Sequence, residues 1–105
     1  MEEMIKLQSE LCKTFSNPSR MQVIKLLYKK EMQASELIKE TEMSKANLSQ
    51  HMAILVKNGI VDAKRDGRKI FYSLSDPKIR QACSIMQDVM INAIKKKNSM
   101  VGKIL

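Results

Sequence analysis

Two cysteines, Cys12 and Cys83, and one histidine, His51, carry most of the reactive chemistry available to this 105-residue sequence. The thiols can be oxidised or can bind a soft ion, and the imidazole can move a proton or ligate a metal. None of the three sits in a recognisable nucleophile–base pair. There is no phosphate-binding loop and no carboxylate pair in a catalytic arrangement, so an enzyme is not expected. Two cysteines are too few for a secreted disulfide scaffold.

A second group of side chains is suited to recognition rather than reaction. The stretch Ser44 to Gly59, SKANLSQHMAILVKNG, is polar at its start and apolar in its second half. Ser44 is a good N-cap, and Gly59 supplies the left-handed residue that follows a helix. Between them Leu48, Met52 and Leu55 recur at i, i+4 and i+7, an anchoring stripe. Lys45, Ala46, Asn47, Ser49 and Gln50 lie at the start or on other faces. The amides of Asn47 and Gln50 can pair with adenine in a bidentate way. Ser49, Lys45 and the helix N-terminus suit phosphates, which fix register without reading sequence. A capped, solvated helix face is the plain alternative.

Charge favours the recognition reading. Nineteen Lys and Arg against eleven Asp and Glu give +8 and a pI near 9.7, which points to an anionic partner, nucleic acid before membrane surface or acidic protein. Four of the cations, Lys64, Arg65, Arg68 and Lys69, flank Asp66-Gly67, expected to be a hairpin turn. Around it Val61, Ala63, Ile70, Tyr72 and Leu74 alternate with polar residues, with Phe71 on the opposite face.

These groups need a scaffold. Met4, Leu7, Leu11 and Phe15 predict a first amphipathic helix. Asn17-Pro18 opens a second, with Met21, Ile24, Leu27 and Tyr28 as its buried stripe. A short third helix over ASELIKET is anchored by Leu37 and Ile38 and leads through Glu42-Met43-Ser44 into the fourth, a helix-turn-helix. Asp76-Pro77 opens a last long helix carrying Ile79, Ala82, Cys83, Met86, Val89, Met90, Ala93 and Ile94, then Lys95-Lys96-Lys97 and a fraying tail from Asn98 to Leu105. About five helices and two strands result, mainly α with a β-hairpin wing, in one domain over residues 1–105. Only 4% of the residues are aromatic, there is no Trp, and nine Met fill part of that gap, so a dimer burying a further apolar stripe would help so small a core. The start lacks the apolar run of a signal peptide and no window approaches a spanning helix, so no membrane partner and a cytoplasmic location are expected.

The segments FSNPSRMQVIKLL and SELIKETEMSKANLSQHMAILVKNGIVDAKRDGRKIFYSLSDP, with the closing helix, resemble the ArsR/SmtB family of bacterial and archaeal repressors. The resemblance runs from about Leu7 to the end of the last helix. Its strongest parts are Asn17 to Arg20, Ser49 to Met52 with Leu55 and Gly59, and Gly67-Arg68 through Leu74. It implies a homodimeric winged helix-turn-helix repressor on a double-stranded DNA operator, released by a signal. The first and last helices, about 2–15 and 77–97, would make the dimer. Ser49, Gln50 and His51 stand where relatives contact DNA; a half-buried structural role for His51 is the alternative.

Many relatives sense metals. The Cys-x-Cys site at the start of the third helix has no counterpart in Met32 to Leu37, and the last helix offers Asp88 but no histidine. Zinc needs about four suitable ligands, so neither site can be assembled and no cofactor is expected. Cys12 and Cys83 remain, on helices the family packs together. They are candidates for a thiol switch answering oxidant or reactive sulfur, for a soft-metal site, or for inert packing. In thiol-sensing relatives the first cysteine lies in the second helix, near this chain's Ile24-Lys25. A winged-helix module binding protein or RNA is the remaining alternative.

Overall fold

The structure, a computed structural model, describes residues 1–104. The elements are α1 (Glu2–Phe15), α2 (Pro18–Leu26), β1 (Met32–Gln33), α3 (Ala34–Thr41), α4 (Lys45–Lys57), β2 (Val61–Asp66), β3 (Lys69–Leu74) and α5 (Lys78–Ile104). The core gathers Val23, Ile24, Leu27, Met32, Leu37, Leu48, Met52, Leu55, Ile60, Val61 and Tyr72 from α2, α3, α4 and the sheet.

The helix ends follow from local chemistry. Asn17 accepts a 3.1 Å hydrogen bond from the Arg20 backbone N–H, and Pro18 begins α2 where no amide partner is needed. The Glu36 carboxylate reaches back to accept from the Gln33 N–H at 3.1 Å, tying β1 to the first turn of α3. Ser44 accepts from the Asn47 N–H at 3.0 Å at the head of α4. At its tail the Ile60 N–H donates to the Leu55 carbonyl and the Gly59 N–H to that of Val56, both at 3.0 Å, with Gly59 at φ 75°. This is a Schellman closure, and it drives the buried Ile60 into the core beside Leu55.

Several expectations are corrected. The sheet has three strands in the order β1-β3-β2, not two, because Met32 and Gln33 pair with Tyr72 and Phe71. A two-residue strand leaves no alternation to read. The hairpin turn is Gly67-Arg68 rather than Asp66-Gly67: Asp66 still pairs with Lys69 in the ladder. Gly67 has φ 62° and Arg68 a negative φ, the pattern of a type II′ turn, which needs glycine first. Ala63, expected inward, is exposed because β2 leaves the core after Val61. In α2 the fully buried pair is Val23 and Ile24, while Met21 and Tyr28 are half-buried. The last helix does not fray at Asn98 but continues to Ile104; Leu105 lies outside the described residues.

The terminal helices differ from the rest. On α1, Met4, Ile5, Leu7 and Leu11 are exposed, and within the chain that helix packs on α2 through its last turn. On α5, among the described side chains, Ile79 and Cys83 reach the core; Met86 is 67% exposed and Ile85, Val89, Met90 and Ile94 are also out. Twenty-seven residues make α5 about 40 Å long, and most of it stands clear of the body.

Candidate nucleic-acid interface

The left-handed Glu42 (φ 59°) turns α3 into α4, and the Thr41 hydroxyl accepts from the Met43 N–H at 3.3 Å inside that turn. The turn lets α3 and α4 pack on each other while both pack on α2. Leu48, Met52 and Leu55 are no more than 2% exposed, so one side of α4 is fixed to the core. Lys45, Asn47, Ser49 and Gln50 are exposed. At roughly 100° per residue Gln50 stands opposite the buried stripe, Asn47 on one flank, and Ser49 with Lys45 on the flank nearer the wing. His51 is half-buried, and its Nδ1 is buried without a hydrogen-bond partner.

The cations of the wing are exposed but not equivalent. Register places Arg65 across from Ile70, on the sheet face that also carries Val61, Ala63, Tyr72 and Leu74. That face meets α4 across an open cleft of about 410 Å³ lined by Ser49, Met52, Ala53, Val56, Lys57, Ala63 and Tyr72. Lys64 and Lys69 stand on the opposite face, with Lys69 directly across from Asp66, and Arg68 occupies the turn. Arg65 therefore shares a side with the α4 front, whereas Lys69 is partly offset by a carboxylate. Burial pushes the Tyr72 phenol up, opposed by the nearby Arg65 charge. The exposed Lys57 and Ala53, which the sequence alone did not bring forward, share the outward strip with Gln50 and the small Ala46; their helical spacing was the available signal.

The wing is locked to α4 at its base. Ser75 Oγ donates to the Gly59 carbonyl at 2.6 Å, and the Ser75 N–H donates to that of Ile60 at 2.9 Å. Helix and hairpin leave the core from one anchored corner.

Both thiols are free. Cys12 is exposed on α1, in a shallow groove with Ile5, Gln8, Ser9, Lys13 and Ser16. Cys83 is half-buried and lies near the Tyr28 phenol, whose ring lies 5.5 Å beneath the Arg80 guanidinium. Burial first, then the Cys83 contact, raises the Tyr28 pKa to about 12 against the opposing Arg80 charge. Among the described residues no group of three or more His, Cys, Asp or Glu side chains comes together as a metal site. No helix among them is long and apolar enough to cross a membrane.

A helix-turn-helix with an exposed polar front, flanked by a cation-bearing antiparallel hairpin fixed to the same corner, defines a winged helix-turn-helix protein. Residues 17–63 match the profile of bacterial regulatory proteins of the arsR family. It is 29% identical over 97 residues to the HTH-type transcriptional regulator Rv0081 of Mycobacterium tuberculosis, spanning 91% of this chain and 85% of that one. The crystal structure of Rv0081 superimposes with a TM-score of 0.84 at 28% identity, covering 90% of this chain and 95% of that one. The transcriptional activator HlyU of Vibrio cholerae is 29% identical over 83 residues (79% and 77% of the two chains), and its structure gives a TM-score of 0.76 with 85% and 97% covered. The transcriptional repressor BigR from Xylella fastidiosa gives 0.74 at 29% identity, with 85% and 91% covered.

Proposed function

We propose that the protein is a homodimeric, sequence-specific DNA-binding transcriptional repressor. One observation carries the reading: the polar front of α4 and the cations of the wing are exposed together, while Leu48, Met52 and Leu55 hold the same helix on the core. Gln50 and Asn47 read base edges in the major groove; Ser49 and Lys45 hold phosphates at the helix start. Lys64, Arg65, Arg68 and Lys69 track the backbone beside it, and His51 contacts DNA from the edge of the reading face. The protein works in the cytoplasm, where its operator lies, and no catalytic step enters this reading.

The exposed apolar residues of α1 and α5 support the dimer. Residues 1–105 act as one domain, with α1 and α5 as its dimerising helices. A single chain presenting Met4, Ile5, Leu7, Met86, Val89 and Met90 to water leaves an apolar surface that a second copy covers.

The releasing signal in this proposal is oxidation of Cys12 and Cys83. One peroxide takes two electrons and two protons from the pair, leaving a disulfide and water. The exposure of Cys12 favours its reaction with an external oxidant.

Fluorescence anisotropy tests both parts. The dimer is titrated onto DNA from upstream of its own gene and onto a scrambled duplex, reduced and after mild oxidation. Preference for the native fragment, abolished by oxidation except in Cys12→Ser, is the expected result. Preference that survives oxidation removes the thiol signal and leaves the repressor; no preference removes the operator reading and favours an interaction module.

A further inference from the structure

Gln50 has Ala46 one turn before it and Ala53 one turn after, and all three are exposed on the strip of α4 opposite its buried stripe. An alanine side chain there has nothing to offer a phosphate and only a methyl group to offer a base. In the major groove that methyl has one matched partner, the C5-methyl group of thymine. Side chains that stop at Cβ also let the helix approach the base edges closely, so that the Gln50 amide is not held off by longer neighbours.

We propose that Ala46 and Ala53 are specificity-determining residues that read thymine methyl groups on either side of an adenine paired with Gln50. The inference rests on the reading that α4 enters the major groove. Seven residues of helix separate the two alanines by about 10 Å, far enough for each to meet a different base pair. Each half-site therefore carries two methyl-sensitive A·T pairs, with the Gln50 adenine between them.

The test uses the full chain as a dimer. Duplexes are selected from a random pool, and the enriched duplex is resynthesised with deoxyuridine in place of each thymine in turn, which deletes one methyl group and nothing else. At two positions per half-site the substitution should weaken binding about fourfold, the equivalent of about 0.8 kcal/mol for one buried methyl-sized group. In Ala46→Gly the penalty at one position disappears and the other persists; Ala53→Gly gives the converse. Each variant is compared with itself on thymine and uracil duplexes, so any loss of helix stability caused by glycine cancels. Uracil without effect anywhere, or the same penalties in both variants, overturns the inference and leaves the repressor reading standing. Failure to enrich any duplex removes both.

Discussion

Asn58 Nδ2 donates a 2.9 Å hydrogen bond to Thr14 Oγ1, joining the C-cap of α4 to the last turn of α1 across 44 residues of sequence. Thr14 is buried and its hydroxyl donates in turn to the Glu10 carbonyl at 3.2 Å. Arg20 Nε donates to the Thr14 carbonyl at 2.8 Å, closing the end of α1 from the other side. The C-terminal end of α4 and the last turn of α1 are thus held by one small polar cluster.

Thr14→Val keeps the shape and removes the acceptor. It should lower stability by about 1 kcal/mol, the usual net worth of a hydrogen bond, read from urea unfolding of the dimer at fixed protein concentration. Arg20→Lys should cost a similar amount, because an ammonium cannot reproduce the paired approach to the Thr14 and Lys13 carbonyls. Unchanged unfolding midpoints in both variants would show the cluster to be energetically silent.

The α4 front and the wing should respond differently to truncation. Gln50→Ala is expected to cost about 1–3 kcal/mol on the preferred duplex and to narrow the gap to other sequences. Arg68→Ala should weaken all duplexes alike and reduce the slope of log K against log salt by about one. Arg65→Ala should lose more affinity than Lys69→Ala, since Arg65 faces the α4 side and Lys69 is paired across from Asp66. Anisotropy titrations over a salt series give all three comparisons.

Met86 is 67% exposed on α5 and lies outside the core, so Met86→Glu should leave the fold of each chain intact. Two like charges brought together in a dimer interface should instead shift the species in light scattering from twice the 12.0 kDa chain mass towards one chain. DNA affinity should fall with it. A variant that stays dimeric places the interface elsewhere.

Both tyrosines of the sequence are held protonated beyond their ordinary range, Tyr28 to about 12. Absorbance titration of the folded protein should therefore place the Tyr28 tyrosinate step near pH 12, with that of Tyr72 also raised. A phenol whose folded pKa lies above its unfolded value stabilises the fold fully below pH 10, and that contribution is lost as pH rises through about 12. Tyr28→Phe should flatten the loss of stability over that window.

The sequence by itself determined the starts of α2 and α4 and the buried stripe of α4. Asn17, Ser44 and Gly59 act through hydrogen bonds and backbone angles within a few residues of themselves, and Leu48, Met52 and Leu55 announce a buried stripe by helical period. Glycine at the hairpin was visible too, although its register, and so the turn at Gly67-Arg68, depended on how β2 pairs with β3. Long-range pairing decided the rest. The third strand exists only because Tyr72 and Phe71 offer a sheet edge to Met32 and Gln33. The sides taken by Arg65 and Lys69 were set by cross-strand register, which a list of cations cannot carry. The apolar stripes of α1 and α5 suited a core or a dimer face equally by period, since periodicity records which face is apolar but not what covers it. Only the packed chain showed that its own core leaves those faces open.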